Sequence, residues 1–371
     1  MKSTIALTAT NLANARSSEA ANRMNSRDPK PIPPQSADEH RFPQRWKAGR
    51  TWLALGVAAL VMVLHLSASA YTVTTLADSG PGSLRAGIAS GGNIDFNVTG
   101  TITLTSGEIL INHEVSISGP GASQLTISGN NASRVFNITS GSISVRISDV
   151  TVANGLAAGG AGGGISCSSG GGFYFTRLVV TGNTAGNNGG GLHITGSGGY
   201  ILNCTISGNT AGHDGGGLLE STSGGYLIDS TVSGNSAGHD GGGVHVSGSG
   251  GYLTYSTISG NSAAGNGGGL YYSGQVAYLE HLTITQNVAD QDSDGTGNGG
   301  GVYFLNVSAS YVYDNIIAEN FDTPNNAGPG QKHRDFSGTF DFGDYNLIQD
   351  TTGWPMRDLI TSPDKARCLA R

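Results

Sequence analysis

Short apolar strings such as YILNCTI, YLIDSTV, YLTYSTI and YLEHLTI recur along the middle of the chain, between turns rich in Gly, Ser and Asn. They are β-branched and aromatic-rich and alternate in polarity, the pattern of short strands half-exposed to solvent. No stretch within residues 89–320 sustains a helical period, and glycine at this density opposes a helix by about 1 kcal/mol per residue. The chain is predicted to be all-β.

The strings keep a fixed period. Asn183, Asn209, Asn235, Asn261 and Asn287 are spaced 26 residues apart, and Tyr174, Tyr200, Tyr226, Tyr252 and Tyr278 each stand nine residues ahead of one of them. Glycine triplets recur in step, starting at Gly162, Gly189, Gly215, Gly241, Gly267 and Gly299. Such self-similarity marks a solenoid in which each repeat makes one coil. One repeat is longer, because the next pair is Tyr311 and Asn320, 33 residues after Tyr278 and Asn287. Stacked at about 4.8 Å, equivalent residues form ladders. The asparagines are expected at sharp corners, where Asn tolerates left-handed backbone, with their amides bonded from coil to coil.

Alternation assigns the core. Val180, Ile206, Val232, Ile258 and Ile284 form one inward column, and Ile165, Leu192, Leu218, Val244, Leu270 and Val302 another, while Thr205, Thr231, Thr257 and Thr283 point outward. Ser83–Ile88 reads as a short helix capping the N-terminal end, and residues 336–348 as a last coil.

Residues 1–70 are expected to serve export. Arg41, Arg45, Lys47 and Arg50 precede an apolar run from Trp52 to Leu66, followed by Ala68-Ser69-Ala70, the layout of a signal peptide. The organisation read from this is an extension and signal over 1–70, a solenoid of ten or eleven coils over 71–350, and a tail over 351–371. Membrane contact is expected through the signal segment alone, and the mature protein as a monomer.

The chain carries 19 Lys/Arg and 26 Asp/Glu, and without residues 1–70 the balance becomes 10 against 22. Residues 178–331 contain neither Lys nor Arg, which excludes a nucleic-acid partner, since phosphate neutralisation needs cations. Neutral glycans and divalent cations suit this surface better. Cys167 and Cys204 fall at inward positions of different strands, as small core residues rather than a disulfide pair; Cys368 lies in the tail.

YTVTTLADSGPGSLRAGI at the start, TISGNTAGHDGGGL-type repeats and DFSGTFDFGDYNLI near the end resemble the exported CSLREA-type β-helix proteins of the pectin-lyase-like superfamily, with repeats like those of polymorphic outer-membrane proteins. The resemblance spans about residues 71–350. It implies a single-stranded right-handed parallel β-helix in a secreted or cell-envelope setting, and no particular reaction. The CSLREA-like element reads GSLRAGI here, without its cysteine and glutamate.

Three groups of residues are candidates for chemistry. Asp290-Gln291-Asp292-Ser293-Asp294-Gly295 sits in the long repeat and matches the first half of a calcium loop, in which alternate carboxylates converge and glycine permits the turn. Gly301 stands where the bidentate Glu of such a loop belongs, so Asn298, a backbone carbonyl or water is left to complete the shell; the alternative is a solvated acidic loop. His213-Asp214 and His239-Asp240 occupy consecutive turns, and stacking them gathers two imidazoles and two carboxylates able to bind metal or move protons. Against this, neighbouring coils carry Asn187-Asn188 and Gly265-Asn266 at the same places, as drifting polar turn residues would. The third group is an outward column, Arg177, Asn203, Asp229, Tyr255, His281 and Asp314, which reads as a shallow glycan groove or as a plain solvated face.

The sequence therefore points to a secreted or surface module that binds extracellular polysaccharide or a cell surface, with calcium as a stabilising ion. The alternative is a polysaccharide lyase or glycoside hydrolase using Asp229, Glu280 and Asp314 or the His-Asp pairs.

Overall fold

The computed structural model describes residues 70–139, 141–322, 335–339 and 341–350. The expected signal segment, the tail beyond residue 350 and Cys368 lie outside these residues. Four parallel sheets run the length of the solenoid, with 11, 10, 9 and 7 strands. The solenoid makes about eight full coils rather than the ten or eleven expected, because the terminal coils lack strands on two faces. Strands pair from coil to coil in the register set by the repeat: Tyr200 lies beside Tyr226, and across the long repeat Tyr278 lies beside Tyr311. The extra residues are looped out between strands and leave the register intact.

The inward columns are where alternation placed them. Val180, Ile206, Val232, Ile258 and Ile284 are all fully buried, as are Leu218, Val244, Leu270 and Val302. Each contributes roughly 1.5–3 kcal/mol by leaving water. Cys167 and Cys204 are buried and free, and burial pushes their thiols up to about 11 and about 12. At the N-terminal end, helix α1 (Leu84–Ser90) packs Leu84 and Ile88 into the same core; its cap residue Ser83 accepts from the backbone N–H of Ala86 at 3.2 Å.

Three turns of each repeating coil hold a left-handed residue, and the ladder asparagines occupy none of these positions. At one corner the residue with φ near +60° is Gly182, Gly208, Gly234, Gly260, Gln286 or Glu319, each directly before an asparagine. This corrects the sequence expectation. The asparagine follows the corner, turns its side chain inward and is at most 2% exposed. The physical demand on it is hydrogen bonding, not backbone tolerance. Each Nδ2 donates both to the next coil's Oδ1 and to a backbone carbonyl, such as Asn235 to Asn261 at 2.9 Å and to the carbonyl of Ile206 at 3.0 Å. The expected stacking of amides is present, and runs unbroken from Asn183 to Asp335.

The glycine triplets make a third turn. Gly215 sits at φ +68, and a Cβ at Gly216 would lie 2.4 Å from the carbonyl oxygen of Gly242 in the next coil.

Candidate functional site

The outward column forms the second left-handed corner. Arg177, Asn203, Asp229, Tyr255, His281 and Asp314 have φ between +49° and +57°. The residue after each turns inward; Cys204, Ser230 and Ser256 form a short polar ladder, in which the backbone N–H of Cys204 donates to the Ser230 hydroxyl at 3.1 Å and that of Ser230 to Ser256 at 3.0 Å, while Leu178 and Leu282 fill the same place in the flanking coils with core side chains. Asn and Asp suit this backbone, whereas a bulky residue in it is strained. Arg177, Tyr255 and His281 accept that strain.

These side chains meet in two groups. Arg177 forks onto the Asp149 carboxylate, with both bonds at 2.6 Å, so its charge is spent locally. Farther along, the Tyr255 and His281 rings stack with centroids 4.6 Å apart, and His281 Nε2 lies 3.6 Å from Asp314 Oδ2. Tyr255 is 53% exposed. Two of the three carboxylates proposed for an enzyme, Asp229 and Asp314, do not converge; Glu280 lies one coil from Asp314, its strand position paired with Tyr313. Asp229 and Asp314 are three coils apart, about 14 Å at strand spacing, while paired glycosidase carboxylates stand about 5–9.5 Å apart.

The neighbouring tyrosine face offers no second aromatic platform. Tyr174, Tyr200, Tyr226, Tyr252, Tyr278, Tyr311 and Phe342 stack one on the next at 4.3–5.5 Å with interplanar angles of at most 17°. Their faces are covered by one another, and the Arg146 guanidinium closes the first ring at 4.6 Å. Edges and hydroxyls are what this ladder presents to solvent.

In the long repeat, carboxylate oxygens of Asp290, Asp292 and Asp294 lie within 4.8 Å of one another. The loop is rooted by Asp290, fully buried at φ +51, whose Oδ1 accepts from the backbone N–H of Gly295 at 3.1 Å; Asp292 and Asp294 are exposed at its tip. Asn298 belongs to the turn that follows, where its backbone N–H donates to Asn266 Oδ1 at 3.0 Å.

The His-Asp turns are brought together only in part. Asp214, His239 and Asp240 form one cluster: His239 Nδ1 is 3.0 Å from Asp214 Oδ1 and 3.3 Å from Asp240 Oδ2. Partial burial pulls the His239 pKa down, but the hydrogen bond to Asp214 and the charges of Asp240 and Asp214 outweigh it, and the net direction is up. His213 stands outside the cluster and is exposed. His239 reaches back one coil to the Asp214 carboxylate, whereas the residue at that place one coil back from His213 is Asn188, which offers no carboxylate. Sequence reasoning missed His245. It lies outward on the strand Val244–Val246, yet only 8% exposed, with Nδ1 4.0 Å from Asp214 Oδ1. The available signal was the V-H-V alternation directly after the glycine triplet.

Compared with known proteins, residues 255–273 match the Chlamydia polymorphic membrane protein repeat. The match covers part of one coil, from the corner residue Tyr255 through Asn261 and the glycine triplet to the strand Leu270–Tyr272. No curated protein and no solved structure matches the chain.

Proposed function

We propose that this protein is a surface-displayed, adhesin-like β-solenoid that binds a neutral or weakly charged extracellular glycan along the strip Tyr255–His281–Asp314. Similarity of one coil to the polymorphic membrane protein repeat supports the cell-envelope setting. The observation that carries the binding reading is Tyr255, a half-exposed aromatic ring held at φ +52 where Asn or Asp would sit with less strain. One ring face rests on His281; the coil before carries the smaller Asp229, leaving that side for a sugar to stack on. Asn203, Asp229 and Asp314 supply hydroxyl partners along the same column, and calcium at Asp290, Asp292 and Asp294 fixes the neighbouring loop.

The test is incubation of the protein with a polysaccharide panel, with and without calcium, followed by assays for retention, new reducing ends and unsaturated products. Retention without turnover supports the binding module. New ends or unsaturated products would support the lyase or hydrolase alternative.

A further inference from the structure

We propose that Asp214, His239, Asp240 and His245 hold one divalent transition-metal ion of the zinc class, pinning two consecutive coils to the strand beneath them. This site is independent of the glycan strip and of the acidic loop.

The turn position concerned forms its own ladder: Asn188, Asp214, Asp240, Asn266 and Asn298, in which each side-chain oxygen accepts from the backbone N–H one coil on. An amide suffices for that task, as Asn188 and Asn266 demonstrate. The two central positions instead place carboxylates in adjacent coils, where like charges repel. Asp240 is only 6% exposed. Its Oδ1 serves the ladder, accepting from the backbone N–H of Asn266 at 2.6 Å, which leaves Oδ2 facing His239 at 3.3 Å. A second cationic element is therefore needed beyond what the amide ladder requires.

His245 supplies the independent observation. Its side chain is nine-tenths buried, its Nδ1 has no hydrogen-bond partner, and that atom is directed at Asp214 Oδ1 from 4.0 Å. An imidazole nitrogen buried without a partner is destabilising. The Tyr271 ring packs on the imidazole at 4.5 Å and holds it in place.

Ligand spacing agrees. With metal–nitrogen and metal–oxygen bonds of about 2.0–2.2 Å, donors around a tetrahedral ion stand about 3.3 Å apart. The contacts of His239 Nδ1 with the two carboxylates are 3.0 and 3.3 Å; His245 Nδ1 stands 4.0 Å from Asp214 Oδ1, outside the group whose donors already lie within 4.8 Å of one another, so its ring has to move inward to join them. Two imidazoles with two carboxylates favour zinc and its neighbours over calcium or magnesium, which take oxygen donors.

The decisive variant is Asp214→Asn/Asp240→Asn, because it rebuilds the turn with the amide already found at Asn188 and Asn266 and so preserves the ladder. Untagged full-length protein is dialysed against zinc, its metal content measured, and cobalt added in parallel to record visible absorption. The expected result is one zinc per chain with tetrahedral cobalt bands, both abolished in the double variant while its circular dichroism is unchanged. His239→Gln and His245→Gln should each weaken zinc at least about tenfold, as even the loss of an outer-shell partner does; His213→Gln and Asp292→Asn should leave it unchanged. Zinc content at background in the unaltered protein, or undiminished affinity in the double variant or in His245→Gln, overturns the site.

Discussion

The side-chain amide of Asn235 donates to Oδ1 of Asn261 at 2.9 Å, and the backbone N–H of Asn235 donates to the same oxygen at 3.0 Å. One buried acceptor thus serves two donors from the coil before, and the arrangement repeats down the solenoid. Asn235→Ala strips Asn209 of the acceptor for both its backbone and side-chain N–H groups and leaves the Ile206 carbonyl without its partner. Buried groups left in this state cost about 1–3 kcal/mol each. A loss on the order of 3 kcal/mol or more is expected, read as a lower denaturant midpoint. A loss below about 1 kcal/mol would contradict the ladder's role.

Glu220 stands in the inward column between Ile194 and Val246, where burial pushes its carboxyl up to about 7, against the weaker pull of hydrogen bonds from Thr222 and Gly225. Gly225 leaves it room, since a Cβ there would lie 1.6 Å from Glu220 Oε1. The folded state holds this proton more tightly than the unfolded chain does. The stability it contributes is full below the unfolded carboxylate pKa and is lost as pH rises through 7. Glu220→Gln should therefore raise the melting temperature at pH 8 and change it little at pH 4.5. Equal shifts at both pH values would contradict this.

Asp78 ties the N-terminal segment to the first coil. It pairs with Arg85 of α1 at 2.8 Å and accepts from the backbone N–H groups of Thr105 and Ser106 at 3.1 and 2.8 Å. Burial alone would raise its carboxyl, but the Ser106 hydroxyl, Arg85 and these backbone donors hold it well below the ordinary range. Its stability is present above the unfolded carboxylate pKa and is lost as pH falls toward the depressed folded value. Asp78→Asn should expose the α1 amides to hydrogen exchange at pH 7 without altering protection at Asn235. Unchanged exchange in α1 would contradict the tie.

Calcium is expected to bind the long repeat weakly, in the 0.1–1 mM range of extracellular modules, given its three carboxylates and exposed tip. Asp292→Asn/Asp294→Asn should abolish the calorimetric signal. Absence of heat up to about 10 mM calcium would remove calcium from the account.

Period, strand parity and the core columns were legible because each depends on a local alternation repeated many times, as from Val180 to Ile284. The inward corner asparagines were legible as a ladder but misplaced by one residue. Sequence spacing cannot tell a residue with left-handed backbone from the one beside it, and Gly208 and Asn209 are both turn residues. The column from Arg177 to Asp314 was read as an outward face, yet its shared left-handed backbone came only with the structure. His245 was missed since outward strand residues are ordinarily solvated, and its burial depends on how the HisAsp turns lie against the strand. His213 lies outside the cluster that holds His239, because their equivalence holds in sequence but not for what lies one coil back.

The account rests most on Tyr255 as the ring that a sugar meets. The direct measurement is the affinity of a glycan retained in the panel for the unaltered protein, for Tyr255→Ala and for Tyr252→Ala, a ladder tyrosine whose faces are already covered by Tyr226 and Tyr278. Aromatic contacts of this kind contribute roughly 0.5–1.5 kcal/mol beyond area burial, so Tyr255→Ala should weaken binding about tenfold while Tyr252→Ala leaves it nearly unchanged. Equal affinities for Tyr255→Ala and the unaltered protein, or a larger loss for Tyr252→Ala, would contradict the account.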